Sequence, residues 1–145
     1  MKMRLCDKFF YLLIGVLLMT ACKKQNLGIT EETAKDIAGT WKIVSLTRNG
    51  EDLTQRMDLS KFRIIFNANG SYSFQDKMAF VVNDPGTYQL DDPQFPFGLV
   101  LTPQSKSATK IKFQYPIING KRQISLTISP GCTTNTYQYN FEKEK

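Results

Sequence analysis

The residues that could do chemistry are few, and one type is missing: among 145 residues there is no histidine. Neither a Ser-His-Asp nor a Cys-His nucleophile can therefore be assembled, and the usual zinc sites lose their commonest nitrogen ligand. Cys132 follows Ser129-Pro130-Gly131 in a turn signal. With no base or helix end beside it to lower its pKa, the thiol reads as a structural cysteine. Asp91-Asp92-Pro93 and Glu51-Asp52 pair carboxylates, which could do acid–base work or hold calcium. Adjacent residues on a strand point apart, however, and both pairs stand at turn signals, so turn chemistry is the simpler reading. Lys110, Lys112, Lys121 and Arg122 cluster around one hairpin, suited to an anionic partner or lipid headgroups, or simply to a solvated outer face. No catalytic constellation, metal site or cofactor is expected, and no enzyme.

A second set has chemistry of another kind. Trp41, Phe62, Phe66, Tyr72, Phe74, Tyr88, Phe113, Tyr115, Tyr137, Tyr139 and Phe141, with Ile64 among them, recur at every second position of apolar-alternating segments. That period marks strands with one buried face and sends the whole set to one interior. Tyrosine hydroxyls carried inside need partners, which a ligand, water or a barrel rim could supply.

The elements that must position them follow from the same alternation. From Thr40 onward the chain reads as about eight strands separated by Gly, Pro, Asn and Asp, with no helical period between them, so parallel crossovers are not expected. Asn119-Gly120 is a two-residue type I′ signal. Closing it sets Tyr115 opposite Ile124, Phe113 opposite Leu126 and Ile111 opposite Ile128. At Asn67-Ala68-Asn69-Gly70 a three-residue loop sets Phe66 opposite Tyr72 and Ile64 opposite Phe74, with Gly70 taking the positive φ. Alternation alone fits a barrel or a two-sheet sandwich, including a carbohydrate-binding one. Short hairpin connections favour an up-and-down barrel.

The N-terminus reads as an address. Lys2, Arg4 and Lys8 precede the apolar run Phe9–Met19, which is too short to span a bilayer, and the small residues Thr20 and Ala21 follow. Residues 1–21 are thus expected to be a signal peptide, 22–30 a tether and 31–145 the folded domain. Leu18-Met19-Thr20-Ala21-Cys22 resembles the lipobox of bacterial lipoproteins, which implies cleavage before Cys22 and acylation of its sulfur. Two or more acyl chains hold a protein stably on a membrane where one does not. Cys6 leaves with the signal and Cys22 carries lipid, so Cys132 has no disulfide partner in the mature chain. Removal of three basic residues and one acid takes the net charge from +6 to +4. With no reader motif, nucleic acid is not an expected partner. Thr30, Glu31 and Glu32 look like the start of a short helix that Gly39 would stop.

Gly39-Thr40-Trp41, opening the first strand, resembles the G-x-W signature of lipocalins, whose tryptophan plugs one end of an eight-stranded barrel. More broadly, residues 37–141 are similar to lipocalin-like domains of lipoproteins from Bacteroides-type bacteria. The similarity runs through Gly39-Thr40-Trp41-Lys42-Ile43-Val44-Ser45, Leu90-Asp91-Asp92-Pro93, Asn119-Gly120-Lys121-Arg122-Gln123 and Ser129-Pro130-Gly131-Cys132. It implies a single antiparallel lipocalin-like barrel and an envelope address, but no function. Lipocalins usually pack an arginine near the last strand over the tryptophan; here Tyr137, Tyr139 and Phe141 occupy that strand. Lys23-Lys24-Gln25 stands where surface-displayed relatives carry acids, which implies an outer-membrane anchor facing the periplasm.

Two functions follow as expectations. In one, the interior holds a small apolar ligand. In the other, the interior is filled and the outer surface meets an envelope protein, with the apolar run Met78–Pro85 as an exposed candidate. An eight-stranded barrel is just wide enough for either outcome.

Overall fold

A computed structural model of the chain describes residues 31–76, 82, 84–131 and 134–145. The expected signal peptide (1–21) and tether (22–30), with Cys22, lie outside the described residues, as do Cys132 and most of the 78–85 run. Thr33–Lys145 forms one compact unit.

Among the described residues ten strands follow one another: β1 (Gly39–Arg48), β2 (Glu51–Asp52), β3 (Arg63–Phe66), β4 (Ser71–Gln75), β5 (Gly86–Leu90), β6 (Gly98–Pro103), β7 (Thr109–Gln114), β8 (Ile117–Ile118), β9 (Lys121–Ile128) and β10 (Tyr137–Lys143). All pairings are antiparallel. The order runs β10-β1-β3-β4-β5-β6-β7-β9, and β9 pairs back onto β10. Eight strands therefore close a barrel without a free edge, and each wall strand neighbours the one before it in the chain. The two-residue β2 and β8 only extend the hairpins they begin.

The turns do what their residues dictate. Phe66 faces Tyr72 and Ile64 faces Phe74, and Gly70 sits at φ 81°. Phe113 faces Leu126, while Asn119 and Gly120 take φ 51° and 74°, both in the left-handed region a type I′ turn requires. Between β7 and β8 the ladder is interrupted at Tyr115-Pro116, where proline brings no N–H and its carbonyl accepts from Gln123 N–H. In β1 the register slips between Ile43 and Ser45, a bulge that carries Ile43 and Leu46 alike to the interior.

The short helix expected after Thr30 is not formed in residues 31–38, which take no regular structure. Their backbone groups are used elsewhere. Lys35 N–H donates to Pro93 O at 2.7 Å, Ala38 N–H donates to the Asp36 carboxylate, and Ile37 O accepts from Trp41. A helix would need those same groups for its own i to i−4 bonds. The segment crosses the end of the barrel instead, with Ile37 buried as its stopper. A second expectation also changes: Val82, within the run expected to be exposed, is 4% exposed and part of the core.

Candidate functional site

The barrel has two unlike ends. At the first, the Trp41 indole is fully buried and donates Nε1–H to Ile37 O at 2.8 Å. The Tyr115 ring meets it edge-on at 6.2 Å, and the Tyr115 hydroxyl donates to Asp36 O at 3.1 Å. Arg122 lies over the far side of this group, its guanidinium 4.9 Å from the Tyr115 ring centre and bonded to the Tyr115 carbonyl at 2.8 Å. An arginine from β9 thus stacks on the tyrosine that packs the tryptophan, a relay that the strand-by-strand reading had missed.

This end is also tied by Asp91. Its Oδ1 accepts from the N–H groups of Asp92, Phe97 and Gly98 at 2.9–3.0 Å, and Oδ2 pairs with Lys110 at 3.0 Å. The bond from Gly98 chiefly, then Lys110, holds the carboxyl down at about 2. Asp92 Oδ1 accepts from Gln94 and Phe95, and Asp52 accepts from Thr54 N–H. These carboxylates serve turns. Among the described residues no acidic or thiol cluster could hold a metal.

The other half of the interior is aromatic. Phe62 meets Phe74 at 5.7 Å and Phe141 at 6.5 Å, Tyr72 meets Phe74 at 5.5 Å, and Tyr139 stacks on Phe141 at 6.5 Å. Of the lining residues read from the sequence, Trp41, Phe62, Ile64, Phe66, Tyr72, Phe113 and Tyr139 are buried, whereas Phe74, Tyr88, Tyr115 and Tyr137 are partly buried and packed against them. Tyr88 contacts Phe66 at 4.7 Å and donates its hydroxyl to Asn67 O at 3.0 Å. Tyr137 lies at the rim under the Arg48 guanidinium, 5.7 Å away. Leu53 and Leu59 of the long β2–β3 connection, with Val82, cap this half. They stand outside any alternating strand, so no period announced them.

Among the described residues, one buried polar side-chain group is unmatched. Tyr72 is 1% exposed and its hydroxyl has no hydrogen-bond partner. Burial, with the Asp84 carboxylate second, pushes that phenol up to about 12. Beside it, among the described residues, β4 pairs with β5 at Ser71–Thr87 and Tyr72–Gly86. The hydroxyl is a polar group set among the rings of Phe62, Phe74 and Phe141.

No curated protein matches the chain, and no solved structure does. A family model described as Domain of unknown function (DUF5004) matches residues 19–142. A match over most of the length, taking in every strand up to β10, makes this barrel a member of the DUF5004 family.

Proposed function

We propose that the chain is a lipid-anchored envelope lipoprotein whose lipocalin-like barrel binds a small apolar molecule bearing one polar group, without catalysis. The Tyr72 hydroxyl carries the reading. A buried hydroxyl without a partner costs about 1–3 kcal/mol, and a ligand acceptor or donor placed against it recovers that cost. The surrounding rings of Phe62, Phe74 and Phe141 suit an apolar body. The lipocalin resemblance at Gly39-Thr40-Trp41 and the plugged Trp41 end agree with a ligand entering from the opposite half. Thr20-Ala21-Cys22 and the basic Lys23-Lys24 support acylation at Cys22 and an outer-membrane address facing the periplasm.

Mass spectrometry of protein gently extracted from its native membrane tests both halves of this reading. The expected result is a diacylated Cys22 and a co-purifying small molecule that Tyr72→Phe releases. The continuous ring contacts favour a second reading, in which the interior is solid and the outer surface meets an envelope protein. Acylated protein that carries no small molecule in either form selects that reading.

A further inference from the structure

Outside the core, four large apolar side chains face water at the Trp41 end: Phe95 is 58% exposed, Phe97 77%, Ile117 62% and Ile118 41%. Phe95 and Phe97 stand on the β5–β6 connection, and Ile117 and Ile118 form β8, whose hairpin projects past the same end. The two elements adjoin, since Phe113 N–H donates to Phe97 O at 2.8 Å where β7 runs out toward β8. Asp91 and Asp92 bind the backbone N–H groups of Phe95, Phe97 and Gly98, so the two phenylalanines are held outward by a fixed loop. Exposed rings on a rigid tip are not expected of a chain that meets only water.

The domain also begins at this end. Lys35 is bonded to Pro93 O on the same connection, and Thr33 lies eleven positions after Cys22. That length spans at most about 40 Å. β1, the ten-residue strand, rises on the order of 25 Å along the barrel once the strands tilt. With the Trp41 end toward a membrane the anchor and the four apolar side chains meet the same surface; with the other end down the tether would have to cover more than half of its full reach along the wall while those side chains stay in water. Lys121, Arg122, Lys143 and Lys145 fringe the same end around an open groove of about 600 Å³. Glu142 and Glu144 offset part of that charge.

We infer that Phe95, Phe97, Ile117 and Ile118 form a membrane-docking tip that inserts shallowly among lipid headgroups and turns the Tyr72 half of the barrel toward the periplasmic space. This rests on the proposed acyl anchor. Insertion of an apolar face by a few ångströms, flanked by cations, is how amphipathic elements hold to an anionic interface.

The test places a nitroxide on full-length acylated protein reconstituted in phosphatidylethanolamine–phosphatidylglycerol vesicles. The label is carried by Phe97→Cys or, at the far end, by Met57→Cys, each with Cys132→Ser. Both sites are exposed, so neither change costs the core. The expected result is an oxygen-to-nickel-chelate accessibility ratio severalfold higher at position 97 than at position 57. Equal ratios, or the higher ratio at 57, overturn the docking tip while leaving the anchor standing. Label–label broadening at position 97 that grows with surface density would place a second copy there and also overturn it. A membrane-extracted chain without the acyl mass would remove the anchor, and the tip with it.

Discussion

The Trp41 indole and the Ile37 carbonyl, four residues apart, bond at 2.8 Å across the mouth of the barrel, both inside the core. This contact fastens a segment with no secondary structure of its own. Trp41→Phe keeps a ring but deletes the donor, strands the Ile37 carbonyl and leaves a void. The expected loss is roughly 2–4 kcal/mol, from an unpaired buried acceptor plus missing ring atoms. Urea denaturation followed by circular dichroism reads it. A loss below about 0.5 kcal/mol, within the usual range for surface substitutions, would mean that the arm is not fastened there.

Two glycines should respond differently to alanine. Gly70, at φ 81° with room for a Cβ in ordinary contact with Tyr88 O at 3.9 Å, loses only the left-handed preference, about 1–2 kcal/mol. Gly86 has an unremarkable φ, but a Cβ there would sit on the Thr102 carbonyl and within 2.8 Å of Pro103 Cα, forcing β5 off β6. Gly86→Ala should therefore destabilise more than Gly70→Ala in paired urea melts. It should also speed amide exchange at Tyr88 and Leu101, which face each other on the disturbed ladder.

The hairpin registers were legible because turn chemistry and period-two alternation are both local, and at Gly70 and Asn119-Gly120 they agree. The bulge between Ile43 and Ser45 was not, since the apolar positions Ile43, Val44 and Leu46 permit either face until β10 chooses. Thr30-Glu31-Glu32 carries a sound helix-start signal, yet Pro93 and Trp41 claim the backbone groups of Lys35 and Ile37. Pro93 is distant in sequence and the Trp41 bond comes from a side chain fixed in the core, and such bonds override a short propensity. The interior set was readable from its period, whereas Ile37, Leu59 and Val82 enter the core from irregular segments. That Tyr72, among the described residues, lacks a partner depends on what closes over it, which no neighbour in sequence reveals.

Asp91 ties acid stability to the β5–β6 connection. Three backbone N–H groups and Lys110 hold its carboxyl at about 2, below the ordinary value of about 4. A depressed carboxyl stabilises the fold above its unfolded pKa, and that contribution disappears as pH falls from about 4 toward 2. Asp91→Asn keeps one acceptor but cannot titrate. Its stability at pH 7 should be lower than that of the parent, and the gap should close as pH approaches 2. Urea midpoints measured across that range decide the matter; a gap independent of pH would assign the effect to loop geometry instead of charge.

Tyr72 predicts the opposite sense at the alkaline side. Its phenol is raised to about 12 because ionisation would place a charge inside the barrel and near Asp84. A raised pKa on a group neutral when protonated means that the contribution is whole below about 10 and fades as pH climbs through the folded value. Tyr72→Phe removes both this ionisation and the orphaned hydroxyl. In ligand-free protein the variant should match or exceed the parent in urea stability at neutral pH, because no hydrogen bond is lost and a desolvation cost is relieved. It should also resist alkaline unfolding further, with phenolate absorbance rising later by one tyrosine. A clear loss of neutral-pH stability in ligand-free Tyr72→Phe would show that the hydroxyl has a partner in solution, and would take away the reason for seeking a ligand at that position.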